Sequence, residues 1–83
     1  MNIFSTQWAR FIAAQLRRHR YPVAPVGSLG MDVTGPGGTV FIEVRSTTVL
    51  VHGSMEIPIT TPEEVMDTLC GALLITIGVP SGG

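Results

Sequence analysis

Residues 39–59, TVFIEVRSTTVLVHGSMEIPI, constrain the fold more than any other stretch, because they form the densest run of β-branched residues in the chain. Such side chains are stiff at χ1 and pack well on a pleated surface. Between Thr39 and Thr47 the residues alternate. Val40, Ile42 and Val44 point one way, and Phe41, Glu43 and Arg45 the other. The first set predicts a buried face beneath helices, and the second a face toward solvent or a partner. A second alternation sets Met55, Ile57 and Ile59 against Glu56 and Pro58. Gly53-Ser54 suits a type II′ turn joining Thr48–His52 to Met55–Ile59. Pro58 lacks an N–H for the ladder, which predicts an edge strand.

Helical patterns flank this run. Ser5 to Arg20 reads as an amphipathic helix, with Ser5 as N-cap and Phe4 as a hydrophobic staple. Trp8, Ile12 and Leu16 share one face, Phe11 lies on its margin, and Arg10 and Arg17 lie opposite. Gln15 and His19 fall on the apolar side, which predicts polar partners for both, such as a backbone carbonyl for the imidazole. Arg17, Arg18 and Arg20 crowd the last turn, where cations offset the negative end of the helix dipole. Pro22 stops the helix. In the second helix, Thr61 is the cap, Pro62 takes the first helical position and Glu64 closes a capping box. The pattern continues through Val65, Met66, Leu69, Cys70 and Leu73, with Gly71 weakening it by about 1 kcal/mol relative to Ala. Residues 74–79 fit a last strand or a longer helix, and 80–83 read as a flexible tail.

Tyr21 to Gly30 contains two prolines and two glycines and reads as a connector, with room for a short edge strand at Val23–Val26. Met31–Thr34 and Thr39–Thr47 form a hairpin across Gly35-Pro36-Gly37-Gly38. The expected fold is therefore one α+β domain over residues 1–79. It has a three- to four-stranded antiparallel sheet, with an N-terminal and a C-terminal helix packed on one face.

Eighty-three residues bury only about 60–65% of their unfolded surface, so the core is marginal. One cysteine, Cys70, excludes an intrachain disulfide, and Cys and His do not cluster at metal-ligand spacing. Charged residues make up 13% of the chain, against a typical ~25%. The mean hydropathy is +0.40. Together these predict apolar surface covered by a protein partner, a second copy (a homodimer) being the first candidate. The expected seam is an edge strand or the Phe41, Glu43, Arg45 face.

No run of ~20 apolar residues suggests a membrane span. The arginines near the N-terminus follow the apolar residues, unlike a signal peptide, so the expected location is cytoplasmic with Cys70 reduced. Five arginines and no lysine fit a GC-rich source, such as a phage or mobile element of a GC-rich host.

Charge is unevenly placed. Residues 1–20 carry four arginines and no acid, whereas 21–83 carry Arg45 against six acids. The cluster Arg17-Arg18-His19-Arg20-Tyr21 could grip phosphates and stack on a base, which makes Arg17, Arg18 and Arg20 candidate nucleic-acid contacts. The glycine-rich segments 27–30 and 35–38 lead into strands without a following Lys, and so are turns and not phosphate loops. His19, His52 and Cys70 are isolated in sequence, and Cys70, on the border of the apolar face of the second helix, reads as a small buried hydrophobe.

Asp32 at a strand start, with Glu43 and Arg45 as Glu-x-basic on the next strand, resembles the core of the PD-(D/E)xK nucleases over Gly30–Ser46. The resemblance implies metal-binding carboxylates at Asp32 and Glu43 and a basic catalytic residue at Arg45. Arg45 stands where the family has Lys, and arginine stays protonated, so the implied activity is that of a degenerate metal-dependent nuclease. The function the residues themselves favour is non-enzymatic. It is that of a small inhibitor, adaptor or subunit that binds a macromolecule through Phe41, Glu43 and Arg45, with no cofactor, metal or catalytic residue.

Overall fold

A computed structural model describes residues 3–79. The expected tail at 80–83 lies outside the described residues. In chain order the elements are α1 (Ile3–Arg18), β1 (Val23–Val26), β2 (Gly30–Gly35), β3 (Gly38–Val44), β4 (Thr48–Val51), β5 (Met55–Pro58) and α2 (Pro62–Thr76). The class is α+β, as expected. Among the described residues the sheet has five strands and not three or four, in the order β1-β2-β3-β4-β5, every neighbour antiparallel. The short edge strand at Val23–Val26 is present as β1, because β2 offers it a full set of partners from Val23↔Val33 to Val26↔Gly30.

Both helices cover one face. Trp8, Ile12 and Leu16 of α1 and Val65, Leu69 and Leu73 of α2 join Met31, Val33, Val40, Ile42, Val44, Val49, Val51 and Ile57 in a single core. Val40, Ile42 and Val44 are all buried, as their alternation requires. Pro36-Gly37 makes the β2–β3 turn, closed by the Gly35↔Gly38 pair.

Three local expectations are corrected, and one open alternative is decided. First, Ser5 is not the N-cap, since α1 already includes Ile3. Ser5 is fully buried, and its hydroxyl donates to the Arg45 carbonyl at 3.2 Å, tying α1 to the bend after β3. Phe4 therefore lies within the helix, with its ring edge-on to Trp8.

Second, α1 ends at Arg18, so the apolar stripe does not extend to His19, which is exposed. The end is a Schellman motif. The Tyr21 N–H donates to the Leu16 carbonyl and the Arg20 N–H to the Arg17 carbonyl, both at 3.0 Å, with Arg20 left-handed at φ 72°.

Third, the β4–β5 connection is the three-residue loop 52–54, with positive φ at both His52 and Gly53. A type II′ turn on Gly53-Ser54 would not place His52 there.

Fourth, residues 74–76 continue α2, and no sixth strand forms among the described residues. The helix closes at Ile77, whose N–H donates to the Leu73 carbonyl at 2.8 Å and whose side chain is buried.

Candidate functional site: the open face of the sheet

With both helices on one side, the other face of the sheet is left to solvent. Register places its residues. Val26, Gly30, Glu43, Leu50 and Glu56 form one cross-strand row, and Ala24, Asp32 and Phe41 form the row beside it. Arg45 pairs with Thr48 at the far side, its N–H donating to the Thr48 carbonyl at 2.8 Å. The expected trio of Phe41, Glu43 and Arg45 thus lies on one exposed strand face. Phe41 is 39% exposed. The Arg45 guanidinium donates to Glu43 Oε1 at 3.2 Å, and both side chains remain well exposed. An exposed pair of this kind contributes little stability, so its use is to set a charge pattern around Phe41.

Three participants were not legible in the sequence. Leu50 and Glu56 join the face only once β4 and β5 are registered against Glu43. Gly30 sits beneath the Phe41 ring. A Cβ there would approach Phe41 Cζ to 2.7 Å and the Val26 carbonyl oxygen to 2.9 Å, so only glycine lets the ring lie flat across β2. The cue was a glycine diagonal to an aromatic across adjacent strands, which needs the register to be seen.

Each sheet edge is interrupted against strand addition by a proline. The Thr34 N–H donates to the Pro22 carbonyl at 3.1 Å, which fixes the hydrogen-bonded positions between β1 and β2. Alternation then turns the main-chain groups of Val23 and Pro25 outward. Pro25 has no N–H to offer there, and the Val23 carbonyl accepts from Arg17 Nη2 at 3.2 Å. At the opposite edge, the Ile59 N–H donates to the Thr47 carbonyl at 2.9 Å. By the same alternation Glu56 and Pro58 face outward on β5. Each edge strand therefore carries a proline where an added strand would need a donor.

The other sequence candidates are not assembled into one site. Asp32 and Glu43 do lie on adjacent strands of the open face. However, Glu43 is engaged by Arg45, and among the described residues no three His, Cys, Asp or Glu side chains gather as a metal-holding group. Arg17 turns toward β1, Arg18 is exposed, and Arg20 lies beyond the helix end in the left-handed region. His19 and His52 are exposed. Gln15 is half-buried and lines a shallow cleft between the helices with Phe11, Pro62 and Met66. Cys70 packs against the core. Burial pushes its thiol pKa up, and nearby Asp67 adds to this, which is the reverse of what a nucleophile requires.

Among the described residues, no helix is long and apolar enough to cross a membrane. The chain matches no protein-family model, no curated protein and no solved structure.

Proposed function

We propose that this chain is a non-enzymatic binding protein, an inhibitor, adaptor or subunit, that presents the open sheet face to a protein partner. The observation carrying this reading is the half-exposed Phe41 at the centre of a face that no helix covers, with proline at both sheet edges. Strand addition is disfavoured, so a partner would engage side chains and not the backbone ladder. The face sets Asp32, Glu43 and Glu56 against Arg45, with Phe41 and Leu50 between them. An apolar centre inside a mainly acidic rim complements a partner surface with Arg or Lys around an apolar knob.

The test compares proteins retained from source-cell extract by four immobilised forms of the chain. A partner kept by wild type and by Arg10→Gln, but lost by Phe41→Ser and by Arg45→Glu, supports the reading. A partner kept by all four would place binding elsewhere.

Self-association is a second reading, carried by a different surface. Leu74, Ile75 and Val79 at the end of α2 are 50%, 87% and 67% exposed. Facing sheets would oppose acid to acid, so a homodimer would use this end of α2. Light scattering at micromolar concentration should give about twice the 8.8 kDa chain mass, and Ile75→Glu should restore a monomer. A wild-type monomer at every concentration would end this reading.

A further inference from the structure

We infer that the groove between α1 and the β1–β2 turn binds a small organic anion, a phosphate or carboxylate carried on a compact apolar body. The groove has a volume of about 390 Å³, within the size range of small-molecule sites. It exists because both walls are low. Ala9 and Ala13 face it from the helix, and Gly27 of the β1–β2 turn faces it from the sheet.

Into this space project Arg10 and Arg17, seven residues apart on one helix face and so about 10 Å apart along its axis. Among the described residues, no carboxylate lines the groove. Neither arginine forms an ion pair with an acid among the described residues, although the chain carries six acids. Arg17 is already oriented by its bond to the Val23 carbonyl. Two guanidinium groups sharing a concave wall repel each other, and an oxyanion between them relieves that repulsion while accepting charge-assisted hydrogen bonds. Ser28 supplies a hydroxyl from the opposite wall, while Pro25 and Met31 supply apolar surface for the ligand body.

The site lies on the helix side of the sheet, so it stands or falls separately from the open face. The spacing also separates it from the cluster Arg17, Arg18 and Arg20, because Arg10 belongs to the groove and Arg18 does not.

The test is a titration followed by amide NMR at low salt, where attraction between charges is least screened. The probes are phenyl phosphate, benzoate, inorganic phosphate and benzyl alcohol. Either aromatic anion should shift the amides of Thr6, Arg10, Gly27 and Ser28 saturably, and comparing the two identifies the preferred head group. Benzyl alcohol should not shift them, and inorganic phosphate should bind more weakly than phenyl phosphate. Arg10→Gln, at an exposed position, should weaken binding at least about tenfold, as expected for loss of a guanidinium–oxyanion contact. Ser28→Glu should abolish it, and Arg18→Gln should leave it within about twofold, as for a charge acting only through solvent. The inference is overturned by any of four results. These are no saturable shift with either aromatic anion, equal loss from Arg10→Gln and Arg18→Gln, inorganic phosphate binding as tightly as phenyl phosphate, or a single-stranded oligonucleotide binding with equal need of Arg18 and Arg20.

Discussion

The Phe41 ring lies across Gly30 on the neighbouring strand, so close that a single methyl group on Gly30 would meet the ring at 2.7 Å and the Val26 carbonyl oxygen at 2.9 Å. The ring could swing away from that methyl, but the carbonyl belongs to the β1 backbone and cannot. Gly30→Ala should therefore cost about 1–3 kcal/mol, the usual penalty for overpacking a tight site. It should also raise the exposure of Phe41. A denaturant midpoint equal to wild type would mean that the strands separate there without cost.

Tyr21 and Gly78 join the two helix ends, the Tyr21 hydroxyl donating to the Gly78 carbonyl at 2.9 Å. Tyr21→Phe should cost about 0.5–1.5 kcal/mol, the net value of one hydrogen bond. The same residue predicts alkaline sensitivity. Burial raises the Tyr21 pKa above its ordinary 10.0, and burial also raises Cys70 above its ordinary 9.0. In both, the folded state favours the protonated form. The associated stability is complete below the unfolded pKa and is lost as pH rises through the folded one. Chemical denaturation should show stability falling above about pH 9, and Cys70→Ala should shift the onset upward. A flat profile to pH 11 would contradict this.

Thr61 caps α2 by accepting from the Glu64 N–H at 3.3 Å, with its own hydroxyl donating to Glu64 Oε1 at 3.3 Å. Thr61→Ala should lower stability by about 0.5–2 kcal/mol. In a domain with roughly 5 kcal/mol to spare, that is visible as a clear drop in thermal midpoint.

Arg20 occupies a left-handed position that glycine adopts without strain. Arg20→Gly should raise stability by about 0.5–1 kcal/mol, because the Schellman bonds of Arg20 and Tyr21 are kept while the Cβ clash is removed. A loss of stability would show that the Arg20 side chain contributes more than its backbone costs.

The sequence by itself determined what depends on near neighbours. Alternation assigned Val40, Ile42 and Val44 to the core and Phe41, Glu43 and Arg45 to the opposite face. Thr61-Pro62-Glu63-Glu64 started α2, and the glycines around Pro36 made the β2–β3 turn. Tertiary structure decided what depends on distant partners. Ser5 is a reasonable cap in isolation, but its hydroxyl serves a carbonyl forty residues away. VAPV leaves room for a short edge strand on its sequence, and it becomes β1 because β2 offers it a ladder. The groove lined by Arg10 and Arg17 needs the β1–β2 turn beside α1, which no helical periodicity reveals. Leu74, Ile75 and Thr76 favour a strand locally, yet a strand needs an open edge, and Pro25 and Pro58 each withdraw a donor from one of the two. One more helical turn satisfies its hydrogen bonds internally and delivers Ile77 to the core, so the helix wins.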